Sequence, residues 1–141
     1  MGIQTDKILK DIKNGTSDET SVDFIEESKV RSEISDDILA AYPSYSKFAT
    51  TCGIHASQLS EFLKGTKKFG RDSLLTIFLT LHYDLDRIQT MLTRLGESPL
   101  YMRNKRDYRI AAAVESGKSL DEIDQLLLLD DFEPLSPDAK E

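Results

Sequence analysis

The chain of 141 residues holds a single cysteine, Cys52, and two histidines, His55 and His82. One thiol excludes an internal disulfide and any zinc site built from several cysteines. The two histidines stand far apart, without the carboxylate and cysteine company that a metal centre or a catalytic triad needs. A phosphate-cradling glycine loop and a nucleophile-elbow sequence are both missing. No apolar run approaches the ~20 residues of a transmembrane helix, and the first residues lack the apolar core of a signal peptide. The expectation is a protein with no catalytic site, no cofactor and no metal, outside the membrane, with the cytoplasm as its default location.

What is present is ordinary for a folded chain, with 39% hydrophobic and 30% charged residues. A chain of this length buries roughly 68% of its unfolded surface, enough for one domain with appendages. Its net charge of −7 argues at first against nucleic acid. That total hides an asymmetry. Residues 1–41 carry 5 basic and 10 acidic residues, and residues 96–141 carry 6 and 11, so each end is −5. Residues 42–95 carry 7 basic and 4 acidic residues and are +3.

The positive section contains residues 45–64, YSKFATTCGIHASQLSEFLK. Ser44 is placed to cap a helix running to about Cys52, and Gly53 supplies a turn that needs positive φ. A second helix then begins at His55 and stops at Gly65. Small Ala49 allows a close crossing, into which Ile54, Leu59 and Phe62 point. Two helices joined by such a turn form a helix-turn-helix, whose second helix can enter a DNA major groove. On the spacing of Ala49, Gly53, Ile54, Leu59 and Phe62, the stretch resembles the lambda-repressor/Cro-like family of bacterial and phage regulators. Residues 65–84, GTKKFGRDSLLTIFLTLHYD, resemble that family's basic loop and fourth helix.

The remaining chain reads as helical. Residues 5–14 predict a short amphipathic helix closed by Gly15. Residues 16–33 are acidic and rich in Ser and Thr, with few apolar anchors, and read as a loosely docked or partly disordered arm. A helix is expected from Ser35 until Pro43 ends it. The apolar residues of 74–81 predict a central helix, and Asp84 caps the next, with Leu85, Met91 and Leu92 as core. Pro99 leads through Arg103, Asn104, Lys105, Arg106 and Asp107 to a sixth helix closed by Gly117. A seventh opens at Ser119, with Glu122 completing a capping-box pattern. The tail from Asp130, with Pro134 and Pro137, is expected to be loose. No internal repeat is evident.

The expected fold is therefore all-α. It comprises an N-terminal helix and arm (1–34), a five-helix lambda-repressor-like domain (35–96), a two-helix extension packed on it (97–135) and a tail (136–141). In this arrangement, including its PLY-x-RN-x-RD segment, the chain also resembles a group of bacterial helix-turn-helix proteins.

The family resemblance places Ala56, Ser57 and Glu61 where base-edge contacts are usual. Gln58 can pair with adenine, Ser57 or Ser60 with several bases, Ala56 with a thymine methyl and Glu61 with cytosine N4. His55 stands at the start of that helix and Lys64 at its end. Phosphate contacts are expected from Tyr45, Ser46 and Lys47, and from Lys64, Lys67, Lys68 and Arg71 around the basic loop. Arg103, Lys105, Arg106 and Arg109 form a second basic cluster, with Arg106 and Asp107 read as structural pairs fastening the extra helices. Asp121, Glu122 and Asp124 read as solvated helix faces, and Cys52 as a small buried residue.

Two functions follow from these readings. One is a sequence-specific regulator of transcription, a homodimer on double-stranded DNA, dimerised through the fifth helix or the last two. The other is an interaction protein, an antitoxin or adaptor, that keeps the fold and uses its acidic arms to bind a protein partner. Glu61 on the reading face and the overall acidity favour the second.

Overall fold

The computed structural model describes residues 17–137, with side chains from Ile25 onward, and it is helical throughout. The seven helices among the described residues are α1 (Ser17–Ala41), α2 (Tyr45–Cys52), α3 (Ala56–Lys64), α4 (Arg71–Thr80), α5 (Leu85–Arg94), α6 (Lys105–Glu115) and α7 (Leu120–Leu129). No strand occurs among the described residues, so the all-α class holds. The helix expected over residues 5–14 and the last four residues lie outside the described part.

The helix expected from Ser35 instead begins at Ser17 and runs for 25 residues, so the section read as an arm is mostly the first half of α1. Val30, Ile34 and Ile38, spaced by four, form one fully buried stripe along it. The acidic residues beside that stripe meet α5. Arg94 pairs with Glu26 and with Glu33 (3.0 Å), and Arg87 pairs with Asp37 at 2.8 Å. Each fully buried aliphatic side chain is worth about 1.5–3 kcal/mol, against about 0–1 for a half-exposed ion pair. The stripe therefore holds α1 down, and the ion pairs set its rotation and register.

Chain geometry explains the short helices. Ser44 accepts the Lys47 N–H at 3.1 Å to start α2. Gly53 ends α2 at φ 75°, which lets the Ile54 N–H reach the Ala49 carbonyl. Asp84 and Ser119 cap α5 and α7 in the expected way, and Ser119 and Glu122 complete the capping box. Helix α4 is buried along its whole length from Leu74 to Thr80 and forms the centre of the molecule. Its two buried threonines donate to carbonyls one turn back, Thr76 to Asp72 and Thr80 to Thr76.

The expectation that the chain holds no internal repeat is overturned. Residues 71–102 and 106–137 are two copies of one helical hairpin, displaced by 35 positions. Arg71-Asp72 corresponds to Arg106-Asp107, Leu85-Asp86 to Leu120-Asp121, Ile88 to Ile123, Leu92 to Leu127 and Pro99-Leu100 to Pro134-Leu135. The backbone follows the same register. His82 (φ 62°) matches Gly117 (φ 77°), and Gly96 (φ 79°) matches Asp131 (φ 62°). Gln89 holds the backbone N–H of Leu100 at 2.8 Å, and Asp124 holds that of Leu135 at 2.6 Å. Two-helix units of this length are a common building block of stacked helical proteins.

This register corrects two expectations. The tail is fixed as far as Pro137, because Leu135 is buried and Asp124 also accepts from the Ser136 N–H and hydroxyl. Asp124 is thus a buried anchor, only 4% exposed, while Asp121 and Glu122 do face solvent.

The two hairpins meet reciprocally. Helix α4 packs on α7, and α5 on α6. Arg71 pairs with Asp107, and Arg106 with Asp72. Residue i meeting j while j's counterpart meets i's is the signature of a two-fold relation, here inside one chain. The expectation that Arg106 and Asp107 fasten the extra helices is met by these pairs.

Candidate nucleic-acid interface

Helices α2 and α3 pack against each other, α1 lies against both, and α4 lies beneath α2. Phe48, Ala49, Cys52, Ile54, Leu59 and Phe62 are buried in this crossing. Those contacts fix the rotation of α3. With Leu59 and Phe62 turned inward, Ala56, Ser57, Gln58, Glu61 and Lys64 face solvent and Ser60 lies half-buried at the edge. His55 occupies the cap position of α3, exposed, with no side-chain capping bond.

The C-terminal end of α3 is held by a residue that sequence reading did not single out. Arg31, in α1, is 8% exposed, pairs with Glu27 at 3.6 Å, and runs beside Gly65. A Cβ on Gly65 would stand 2.9 Å from Arg31 Nη2, so the glycine serves both the φ of 86° and the close approach of the guanidinium. A buried cation in an acidic stretch, four residues after Glu27, was the one available sequence signal. Arg31, Gly65, Lys67 and Lys68 border a cavity of about 110 Å³, together with Glu27 and Glu97. Phe62 and Phe69 stack across its apolar side with ring centres 4.7 Å apart.

Lys64, Lys67 and Lys68 are exposed, and among the described residues none forms an ion pair. At the other side of the motif, Tyr45, Ser46 and Lys47 are exposed at the start of α2. The Tyr45 hydroxyl is 2.6 Å from Ser35 Oγ, which ties this end of α2 to α1.

Arg71 does not join this group. Its guanidinium makes two hydrogen bonds to the Asp107 carboxylate, at 2.9 and 2.6 Å, and a third to the Pro99 carbonyl. Asp107 is 3% exposed and also accepts the Tyr101 N–H, so the cation neutralises a buried charge. The expected phosphate-binding arginine is a structural one. The second basic cluster divides likewise: Arg106 pairs with Asp72 and Arg109 with Asp130, leaving Arg103 and Lys105 exposed.

Cys52 is buried under α4, where desolvation pushes its thiol up to about 11 although a hydrogen bond with Thr80 opposes the shift. It is no nucleophile at neutral pH. Tyr83 is raised as well, by burial first and then by Asp37, to which its hydroxyl donates. Among the described residues no cluster of His, Cys, Asp and Glu has a metal-holding arrangement, and no helix is long and apolar enough to cross a membrane.

Compared with known proteins, the chain matches no protein-family model, no curated protein and no solved structure.

Proposed function

We propose that the chain is a sequence-specific DNA-binding regulator of transcription, with residues 55–64 as its major-groove helix. The observation that carries this reading is the composition of one surface. The outward face of α3 is polar and uncommitted, and the exposed lysines Lys64, Lys67 and Lys68 stand at its end and in the loop after it, within residues 42–95, which carry a net charge of +3 between two acidic sections. Ser57, Gln58 and Glu61 supply donors and acceptors suited to base edges, and Ala56 suits a thymine methyl. Tyr45, Ser46 and Lys47 on one side, and the lysine loop on the other, would bind phosphates and fix the register on the duplex. In this reading the fold of residues 35–96 is that of the lambda-repressor-like regulators, and a homodimer would read two half-sites about one turn, ~34 Å, apart. Such a regulator would work in the cytoplasm.

The test is selection from random duplexes by the purified chain at low and moderate salt. An enriched motif that is lost on Ser57→Ala with Gln58→Ala supports the reading. No enrichment at either salt refutes it.

One observation favours a second reading, a protein-interaction module such as an antitoxin or adaptor. Glu61 stands in the middle of the α3 face, where it would repel phosphates, in a chain of net charge −7. Changing Lys67 and Lys68 to Glu separates the two, since it removes DNA binding and spares a partner held elsewhere.

A further inference from the structure

The internal two-fold makes the two hairpins comparable face by face, and one face differs. In the first hairpin, α2 covers α4 and α1 covers α5. Leu74, Ile77 and Met91 are consequently at most 1% exposed. Their counterparts 35 positions on are Arg109, Ala112 and Leu126, and all three are exposed. Leu129, on the same flank of α7 as Leu126, is 79% exposed. Beside them lies an open groove lined by Met102, Tyr108 and Phe132. Among the described residues, six of the nine large exposed hydrophobic side chains fall within residues 101–129. A grouping of that kind marks an interaction surface.

We infer that this open face of the second hairpin, centred on Leu126, Leu129 and the groove beside Tyr108, binds a second copy of the chain about a two-fold axis. The inference rests on the regulator reading only for its use, since a two-half-site operator needs a dimer. The occupant follows from charge. An isologous interface must complement itself, so a patch that carries charge suits a second copy only if it holds both signs. This patch has them. Arg103 and Lys105 line the groove and are exposed, Asp130 lines it after α7, and the exposed Asp131 and Glu133 flank the lining Phe132 in sequence. Within one chain Arg109 and Asp130 already pair across the groove at 2.8 Å, which shows that cations of α6 and carboxylates after α7 meet there. A two-fold places the basic end of one copy on the acidic end of the other and closes Leu129 against the apolar part of the groove, Met102, Tyr108 and Phe132, in the second copy. A nucleic acid would meet Asp130 in the groove, with the exposed Asp131 and Glu133 next to it in the chain, and an acidic partner helix would meet the same carboxylates.

The experiment is sedimentation equilibrium of the full chain across the micromolar range. The expected result is a dimer whose dissociation constant rises at least ~30-fold on Leu129→Glu, as for a central interface residue. Leu129 is exposed in the single chain, so the helical circular dichroism of this variant should be unchanged. Lys105→Glu and Asp131→Lys should each weaken the dimer, and mixing the two variants should restore association as a heterodimer. A wild type that stays monomeric overturns the inference and leaves the face to a different partner. So does a dimer indifferent to Leu129→Glu. Enrichment of a single half-site by a monomer would sink this inference while sparing the regulator reading, and a dimer that enriches nothing would do the reverse.

Discussion

Arg71 and Asp107 form a bidentate pair, at 2.9 and 2.6 Å, that joins the first turn of α4 to the first turn of α6. The carboxylate is nearly inaccessible to water, so removing the cation leaves a buried charge with only the Tyr101 N–H to satisfy it. Arg71→Ala should therefore cost about 3 kcal/mol in chemical denaturation. Arg71→Lys should recover only part of it, because an ammonium cannot engage both oxygens in the same plane. Under the regulator reading, the DNA affinity of the folded fraction should not change with either variant. A loss of affinity without a loss of stability would return Arg71 to the phosphate contacts.

Lys67 and Lys68 have no such commitment. Lys67→Ala with Lys68→Ala should leave the melting temperature within a degree or two of wild type. Under the regulator reading it should flatten the log–log salt dependence of DNA binding by about 1.8, from ~0.9 per lost phosphate contact. An unchanged slope, measured by titration at several salt concentrations, would remove the loop from the interface.

The two glycines Gly65 and Gly117 share a left-handed backbone, at φ 86° and 77°, but differ in what surrounds them. Around Gly117 an added Cβ meets nothing within 4 Å, whereas at Gly65 it meets the Arg31 guanidinium. Gly117→Ala should cost about 1 kcal/mol from backbone strain alone. Gly65→Ala should cost more, and the excess should shrink in an Arg31→Ala background. Equal losses for the two glycines would mean that Arg31 does not brace the end of α3.

Cys52 gives the fold a predictable response to alkali. Its thiol is raised from 9.0 to about 11 by burial, so the folded state binds the proton more tightly than the unfolded chain does. That contribution is complete below pH 9.0 and is lost as pH rises towards 11, by up to about 2 kcal/mol. Tyr83, also raised, adds loss in the same direction at still higher pH. Urea unfolding from pH 8 to 10.5 should show the decline, and Cys52→Ala should make it shallower. The native thiol should also react slowly with disulfide reagents at pH 8.

What could be read in advance was local. Ser44, Gly53, Asp84 and Ser119 act within three or four residues of themselves, so their roles follow from residue type and spacing. The solvent face of α3 follows in the same way from the positions of Leu59 and Phe62. What escaped was set by distant partners. The acidic half of α1 looks like a solvated arm until Arg87 and Arg94 are brought to it from α5. Asp124 looks like a surface charge until the backbone of Leu135 and Ser136 folds back on it. Arg71 looks like a phosphate ligand for the same reason, and Arg31 gave little sign of its place beside Gly65. The hairpin repeat is hidden because its matched positions conserve a job more than a letter. Gln89 and Asp124 do the same work, as do His82 and Gly117.

The exchanged arginine–aspartate pairs also decide how the chain comes apart. Hairpins that touch only end to end can fray, the last one peeling off first. Here α7 lies against the central α4, so detaching the C-terminal hairpin breaks both exchanged pairs and uncovers the middle of the core. Amide hydrogens of Ile110 and Ile123 should then exchange through the same opening event as those of Leu75 and Ile88, with one common free energy. Residues 105–137 are a keystone, and a truncation before α6 should yield an unfolded chain in place of a smaller folded one.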